Sequence, residues 1–209
     1  MIVVIQCAST KRPDAGHLVT ADGKPVVFVA HPEIAPADAA HVYARPDDPS
    51  DNGRSWRDVL IAYNGTRSIN PLGLLPAHRL YENRVYGRLV ERLGVDKVYI
   101  LSAGWGLINA DFLTPCYDIT FSRAKNVEPY KRRGKTDQYR DICMLPDGID
   151  EEIVFFGGKD YLLLFCMLTE KVNNSAFPPH VHGCTPERFE TNRKTNWHYE
   201  CANAFLDSV

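Results

Sequence analysis

Apolar residues in this chain gather into short unbroken runs. Ile2 to Ile5, Val26 to Ala30, Val98 to Leu101 and Ile153 to Phe156 each stop at a charged, small or turn-forming residue. Runs of that length, bounded that way, suit strands buried on both faces, as in a largely parallel sheet. Helical spacing fills the intervals. Trp56, Leu60, Ile61 and Tyr63 share a face, with Ser55 placed to cap the helix they form. Leu80, Tyr81, Val85, Leu89 and Leu93 predict a second helix that stops at Gly94. A third runs from Tyr161 to about Val172, and a short last one buries Ala202, Phe205 and Leu206. The expectation is one α/β domain over residues 1–209, a three-layer sandwich on a mainly parallel sheet. A proline-rich, loop-rich excursion around 31–54 and a basic segment over 123–140 interrupt it.

With 209 residues and 44% apolar content, the chain can bury a full core. Its formal net charge of −2 offers no general attraction for nucleic acid, so any such contact must come from a local patch. One stretch qualifies: Arg123, Lys125, Lys131, Arg132, Arg133, Lys135 and Arg140, with Tyr130 and Tyr139 among them. Cations mixed with aromatics suit phosphates and unstacked bases; a solvated loop is the plainer account. The chain opens on a strand pattern, not a basic and apolar leader. No apolar run reaches the roughly 18 residues of a membrane span. A cytoplasmic protein with no membrane partner is expected.

The six cysteines form no CxxC pair, which points to reduced thiols. His180, His182 and Cys184 fall on one side of an extended segment but lack an evident fourth ligand, so no metal is expected. After the first strand, Gln6-Cys7-Ala8-Ser9-Thr10-Lys11 has the position of a ligand loop without the glycines of a P-loop or dinucleotide fingerprint. No cofactor is expected.

The densest chemistry lies between Lys97 and Ser122. A buried strand breaks at Gly104-Trp105-Gly106, leaving an aromatic that reads as exposed between two glycines. Asp111 and Asp118 then flank Pro115-Cys116-Tyr117 on what reads as a single loop. A second strand end, Gly157-Gly158-Lys159-Asp160, opens a helix whose first amides could receive an anion. Near the end, Arg193, Lys194, Asn196 and His198 form another polar group.

Leu80-Tyr81, the block Tyr99-Ile-Leu-Ser-Ala-Gly-Trp-Gly-Leu-Ile108 and Cys116-Tyr117-Asp118, with a weaker Cys7 to Lys11 element, resemble a bacterial family related to the peroxide-stress protein YaaA. The resemblance runs from Ile5 to about Ser122. Cys116 stands where that family usually has proline, and the C-terminal third does not align. Within this neighbourhood the chain is similar to phage-defence DNA glycosylases that excise glucosylated hydroxymethylcytosine. That similarity implies a uracil-DNA-glycosylase-like fold.

The resemblance implies an N-glycosylase whose partner is double-stranded DNA carrying a modified base. Such an enzyme needs a carboxylate for the oxocarbenium-like transition state and donors for the departing base. The candidates are Asp118 and Asp111, with Ser102 beside them. Gln6, Cys7, Ser9, Asn196 and His198 would contact the flipped base, while Trp105 or Tyr117 stacks on it. Lys11, Lys125, Arg132, Lys159, Arg193 and Lys194 would hold the backbone. A Schiff-base lysine at Lys11 or Lys159 ranks below water attack, since nothing in the sequence depresses a lysine pKa. The alternatives are a non-enzymatic nucleic-acid-binding stress protein and an N-glycosidase of free nucleotides or nucleosides.

Overall fold

The N-terminal apolar run becomes the interior of the sheet. In the computed structural model, which describes residues 1–66, 69–169 and 197–208, β1 (Ile2–Gln6) has parallel neighbours on both sides. The other strands are β2 (Val26–Phe28), β3 (Val42–Ala44), β4 (Leu75–Pro76), β5 (Val98–Ser102), β6 (Gly106–Asn109), β7 (Leu113–Thr114), β8 (Ile142–Cys143) and β9 (Ile153–Phe156). Five of them build the central sheet in the order β8-β6-β5-β1-β9. Three of its four pairings are parallel and β5–β6 is antiparallel. The result is an α/β fold on a mixed, mostly parallel sheet. Ile2 to Ile5 and Val98 to Leu101 are all buried, as their unbroken hydrophobicity requires.

The helices are α1 (Trp56–Gly65), α2 (Ala77–Leu80), α3 (Val85–Leu93), α4 (Lys159–Thr169) and α5 (Trp197–Ser208). Ser55 does cap α1: its Oγ accepts from the Asp58 amide at 3.1 Å. α3 packs on β5 and against α5, α5 on β9, and α4 on β6 and β8. None of the described helices is long and apolar enough to cross a membrane.

Several expected boundaries shift. The run Val26 to Ala30 does not join the central sheet. β2 takes only Val26–Phe28 and pairs with β3, a strand inside the excursion expected to be loop. The helix expected through Leu80 and Leu93 is two pieces, because Tyr81 is extended (φ −96°, ψ 138°) and bridges to Lys11. Tyr81 thus makes an isolated antiparallel bridge to the segment after β1 instead of continuing a helical face.

Around Trp105 the correction is larger. β5 and β6 form a hairpin, and Gly106 (φ 95°) sits so close to the neighbouring backbone that a Cβ would lie 2.3 Å from the Ile142 carbonyl oxygen. Glycine is obligatory there. The turn points inward: Trp105 is 0% exposed, 4.9 Å from Phe28 between ring centroids and 6.3 Å from Tyr117. Two buried arginines hold it. Arg57 donates to the carbonyls of Trp105 and Gly104 at 3.0 and 3.1 Å and to Asp47 at 2.6 Å. Arg133 donates to the Ala103 carbonyl at 2.7 Å and to both oxygens of Asp141.

Candidate functional site

The carboxyl ends of β1 and β9 border a cleft of about 670 Å³. The chain moves from β1 to β5 on one side and later fills β9 on the other, and open α/β sheets bind ligands where the order reverses in this way. The last residue of β1 and the loop after it, Gln6 to Thr10, form one wall. Residues 120–124, the first turn of α4 and the first turn of α5 supply the others.

Each wall brings a distinct group. Gln6 Oε1 accepts the Gly158 amide proton at 2.6 Å, which commits the side-chain oxygen and leaves its NH₂ as a donor. Cys7 Sγ lies 3.2 Å from the Tyr161 hydroxyl, and Tyr86 donates to the Gln6 carbonyl at 2.8 Å. Burial drives Tyr86 and Tyr161 well above the usual phenol range, so both remain neutral. His198 is 4% exposed and its Nε2 has no hydrogen-bond partner. Desolvation pushes its pKa down to about 4, which makes it a neutral imidazole at neutral pH. Asp160 provides a carboxylate in the first turn of α4, paired with Lys135 at 2.6 Å.

A shallower groove of about 590 Å³ adjoins the cleft, and Glu82 and Asn83 line both. Arg12, Arg79, Arg84 and Arg88 line this groove. Arg12 pairs with Asp14 and Arg88 with Asp207, while Arg79 and Arg84 are exposed. This cationic track was not singled out in the sequence. Its signal was present as arginines spaced five and four residues apart through α2 and α3.

Four residues expected at the site do meet in the cleft: Gln6, Cys7, Ser9 and His198. Lys159 is exposed at the start of α4, next to Asp160. Lys125 is exposed in the loop that follows the 120–124 wall. Asp118 sits two residues before that wall, in an ion pair with Lys131 at 2.9 Å. Lys11 follows the first wall directly, and its Nζ lies 4.1 Å from the centre of the Tyr117 ring. Burial lowers the Lys11 pKa, with Cys7, Asp118 and Cys116 opposing the shift.

The remaining expectations are corrected. Asp111 and Asp118 are not neighbours on one loop. β6 runs antiparallel to β5, so Asn109 lies opposite Tyr99 and Asp111 falls beyond the amino end of β5, away from the cleft. Ser102 is buried and braces the turn: its Oγ accepts the amides of Gly104 and Trp105 and donates to the Tyr117 hydroxyl at 2.8 Å. Tyr117 is itself fully buried and also bonded to Tyr81, so neither it nor Trp105 is placed to stack on a base. The basic segment is largely neutralised by carboxylates from outside it. Lys131 pairs with Asp118, Arg133 with Asp141, Lys135 with Asp160 and Arg140 with Asp58, while Arg132 donates to the carbonyls of Val127 and Ala124. Asn196, Arg193, Lys194, His180, His182 and Cys184 lie outside the described residues. Among the described residues, no three His, Cys, Asp or Glu side chains gather as a metal site.

No protein-family model matches the chain, nor does any curated protein or solved structure.

Proposed function

We propose that the chain is a DNA N-glycosylase with a uracil-DNA-glycosylase-like three-layer fold. It would flip a modified cytosine, such as a glucosylated hydroxymethylcytosine, into the cleft and excise it, leaving an abasic site. The observation that carries this reading is His198: a buried, neutral imidazole whose Nε2 has no hydrogen-bond partner, in the wall of a polar cleft that also holds carboxylates.

An unpaired buried polar atom costs about 1–3 kcal/mol, and a ligand that bonds Nε2 relieves that cost. A neutral imidazole suits an uncharged base edge, and the free NH₂ of Gln6 adds a donor beside it. Of the two carboxylates that line the cleft, Glu82 and Asp160, the one in the first turn of α4, Asp160, would stabilise positive charge at C1′ or take a proton from the attacking water. It replaces Asp118 and Asp111 as first candidate because it lines the cleft and they do not. The cleft's size falls within the roughly 300–1,000 Å³ of small-molecule sites and has room for a base with an attached sugar. Arg79 and Arg84 in the adjoining groove would hold phosphates of the strand from which the base is turned out.

The test is incubation with unmodified, hydroxymethylated and glucosylated phage DNA, then alkali treatment and a denaturing gel. Breaks confined to one modified DNA are expected, abolished by Asp160→Asn and retained in Asp118→Asn. Intact strands in all three DNAs, despite binding, would refute catalysis and leave a non-enzymatic binding protein.

A further inference from the structure

Lys11 stands apart from the other described lysines. Lys24, Lys97, Lys131 and Lys135 each have a carboxylate at 3.9, 2.5, 2.9 and 2.6 Å respectively. Lys125 and Lys159 are exposed. Lys11 is half-buried, and among the described residues no carboxylate lies within ion-pair distance of its amine. Its contact is the face of Tyr117, a ring locked by hydrogen bonds to Ser102 and Tyr81. An aromatic face compensates only partly for lost hydration. Burial therefore weakens the amine as a base, whereas Glu151 strengthens Lys97.

The backbone at Lys11 is also fixed. Lys11 bridges to Tyr81, and the Arg12 amide donates to the Leu80 carbonyl at 2.8 Å. Residues 6–10, just before Lys11, form the cleft wall, as does Thr120, two residues beyond Asp118. Cys7, in that wall, is close enough to influence the Lys11 charge, as is Asp118. An amine made less basic by burial, without a carboxylate partner and one residue beyond the cleft wall, is suited to attack a carbonyl carbon.

We propose that Lys11 Nζ condenses with the open-chain aldehyde of an abasic deoxyribose, adding a strand-cleaving lyase activity at the same cleft. This rests on the glycosylase reading, whose product is such a sugar. The amine lone pair bonds to C1′. The carbonyl oxygen leaves as water with one proton from the amine and one from solution, giving a protonated imine. A base then removes a C2′ proton, the C2′–H electrons form the C2′=C3′ bond, and the C3′–O bond breaks. The 3′ phosphate departs with that electron pair. Water hydrolyses the imine, restores Lys11 and releases the unsaturated aldehyde. The C2′ proton passes to Asp160, a carboxylate that lines the cleft. The sequence needs no co-reactant, because the water and proton exchanged when the imine forms are returned when it is hydrolysed.

The probe is a synthetic duplex with one preformed abasic site, incubated with the full chain and sodium borohydride, which reduces the imine to a stable secondary amine. A protein–DNA adduct is expected, with the linked peptide containing Lys11. Lys11→Met and Lys11→Arg should lose the adduct, the second while keeping a cation over Tyr117. Peptide mapping of the wild-type adduct decides the matter even where a variant fails to fold. Linkage through another lysine, or an adduct surviving in either folded variant, overturns the assignment. The same preparation is run on glucosylated phage DNA. Alkali-labile sites there, without an adduct on the abasic duplex, refute Lys11 and leave the glycosylase standing. An adduct through Lys11 without base release from any DNA refutes the glycosylase and leaves a lyase of abasic sites. Neither product refutes both.

Discussion

Replacing His198 with leucine should flatten the protein's loss of stability in mild acid. An unfolded histidine titrates near 6.5, whereas in the fold His198 is held down to about 4. Between those values the unfolded chain binds a proton that the folded chain refuses. Stability therefore rises with pH through this window and falls as the solution is acidified. The two pKa values make this side chain cost about 2 kcal/mol on going from about pH 7 to about pH 5. For a chain of this size that corresponds to roughly 4–8 °C in Tm. Most carboxylates titrate lower, so the window isolates histidines, and the remaining histidines are common to wild type and variant. Urea denaturation of both proteins at the two pH values gives the difference directly. Wild type should lose about 2 kcal/mol more than His198→Leu over this range. Equal losses would show that the imidazole is hydrated, and the neutral hydrogen-bonding group assigned to the cleft would go with it.

Gly106→Ala should cost about 3 kcal/mol, from a left-handed backbone and a Cβ driven into Ile142. Gly23→Ala (φ 82°, open space) should cost only about 1 kcal/mol by the same urea assay; similar values at both positions would refute the packing argument. Arg133→Met strands the buried Asp141 carboxylate and should lose about 3–5 kcal/mol, a change within about 1 kcal/mol counting against a tightly enclosed pair. Arg79→Ala with Arg84→Ala should lower the slope of log Kd against log salt for duplex DNA by about 2, read by fluorescence anisotropy. An unchanged slope would show that phosphates do not follow that groove.

What could be read from the sequence was mainly local. Unbroken apolar runs marked β1 and β5 because a strand buried on both faces needs no partner to declare itself; the same kind of run marked β9, although that strand is at the sheet's edge and only Phe156 in it is fully buried. Ser55 marked the start of α1 because a cap acts over three residues. The failures were matters of distance. Trp105 looked exposed between two glycines, but Phe28 and Arg57, from remote segments, enclose it. The cations after Arg123 looked like a patch until Asp58, Asp118, Asp141 and Asp160 came in to neutralise four of them. Asp111 and Asp118 are seven residues apart, and only strand direction separates them. Within the site, Gln6, Cys7 and Ser9 were legible as the end of a first strand. Asp160 was passed over although its Gly-Gly-Lys-Asp setting was noted, since nothing local distinguishes a cleft carboxylate from a solvated one.

The paired arginines at the β5–β6 turn have a bearing on the order of folding. Arg57 reaches the turn across 48 residues of chain and Arg133 across 30. The hairpin itself closes early because its strands are adjacent in sequence, but its three inner carbonyls lose water only after both distant segments arrive. Each arrival requires a loop closure whose entropy is lost before the contact forms. The turn should therefore register late in refolding, and Trp105, sealed by that final step, provides the chain with its own fluorescent clock.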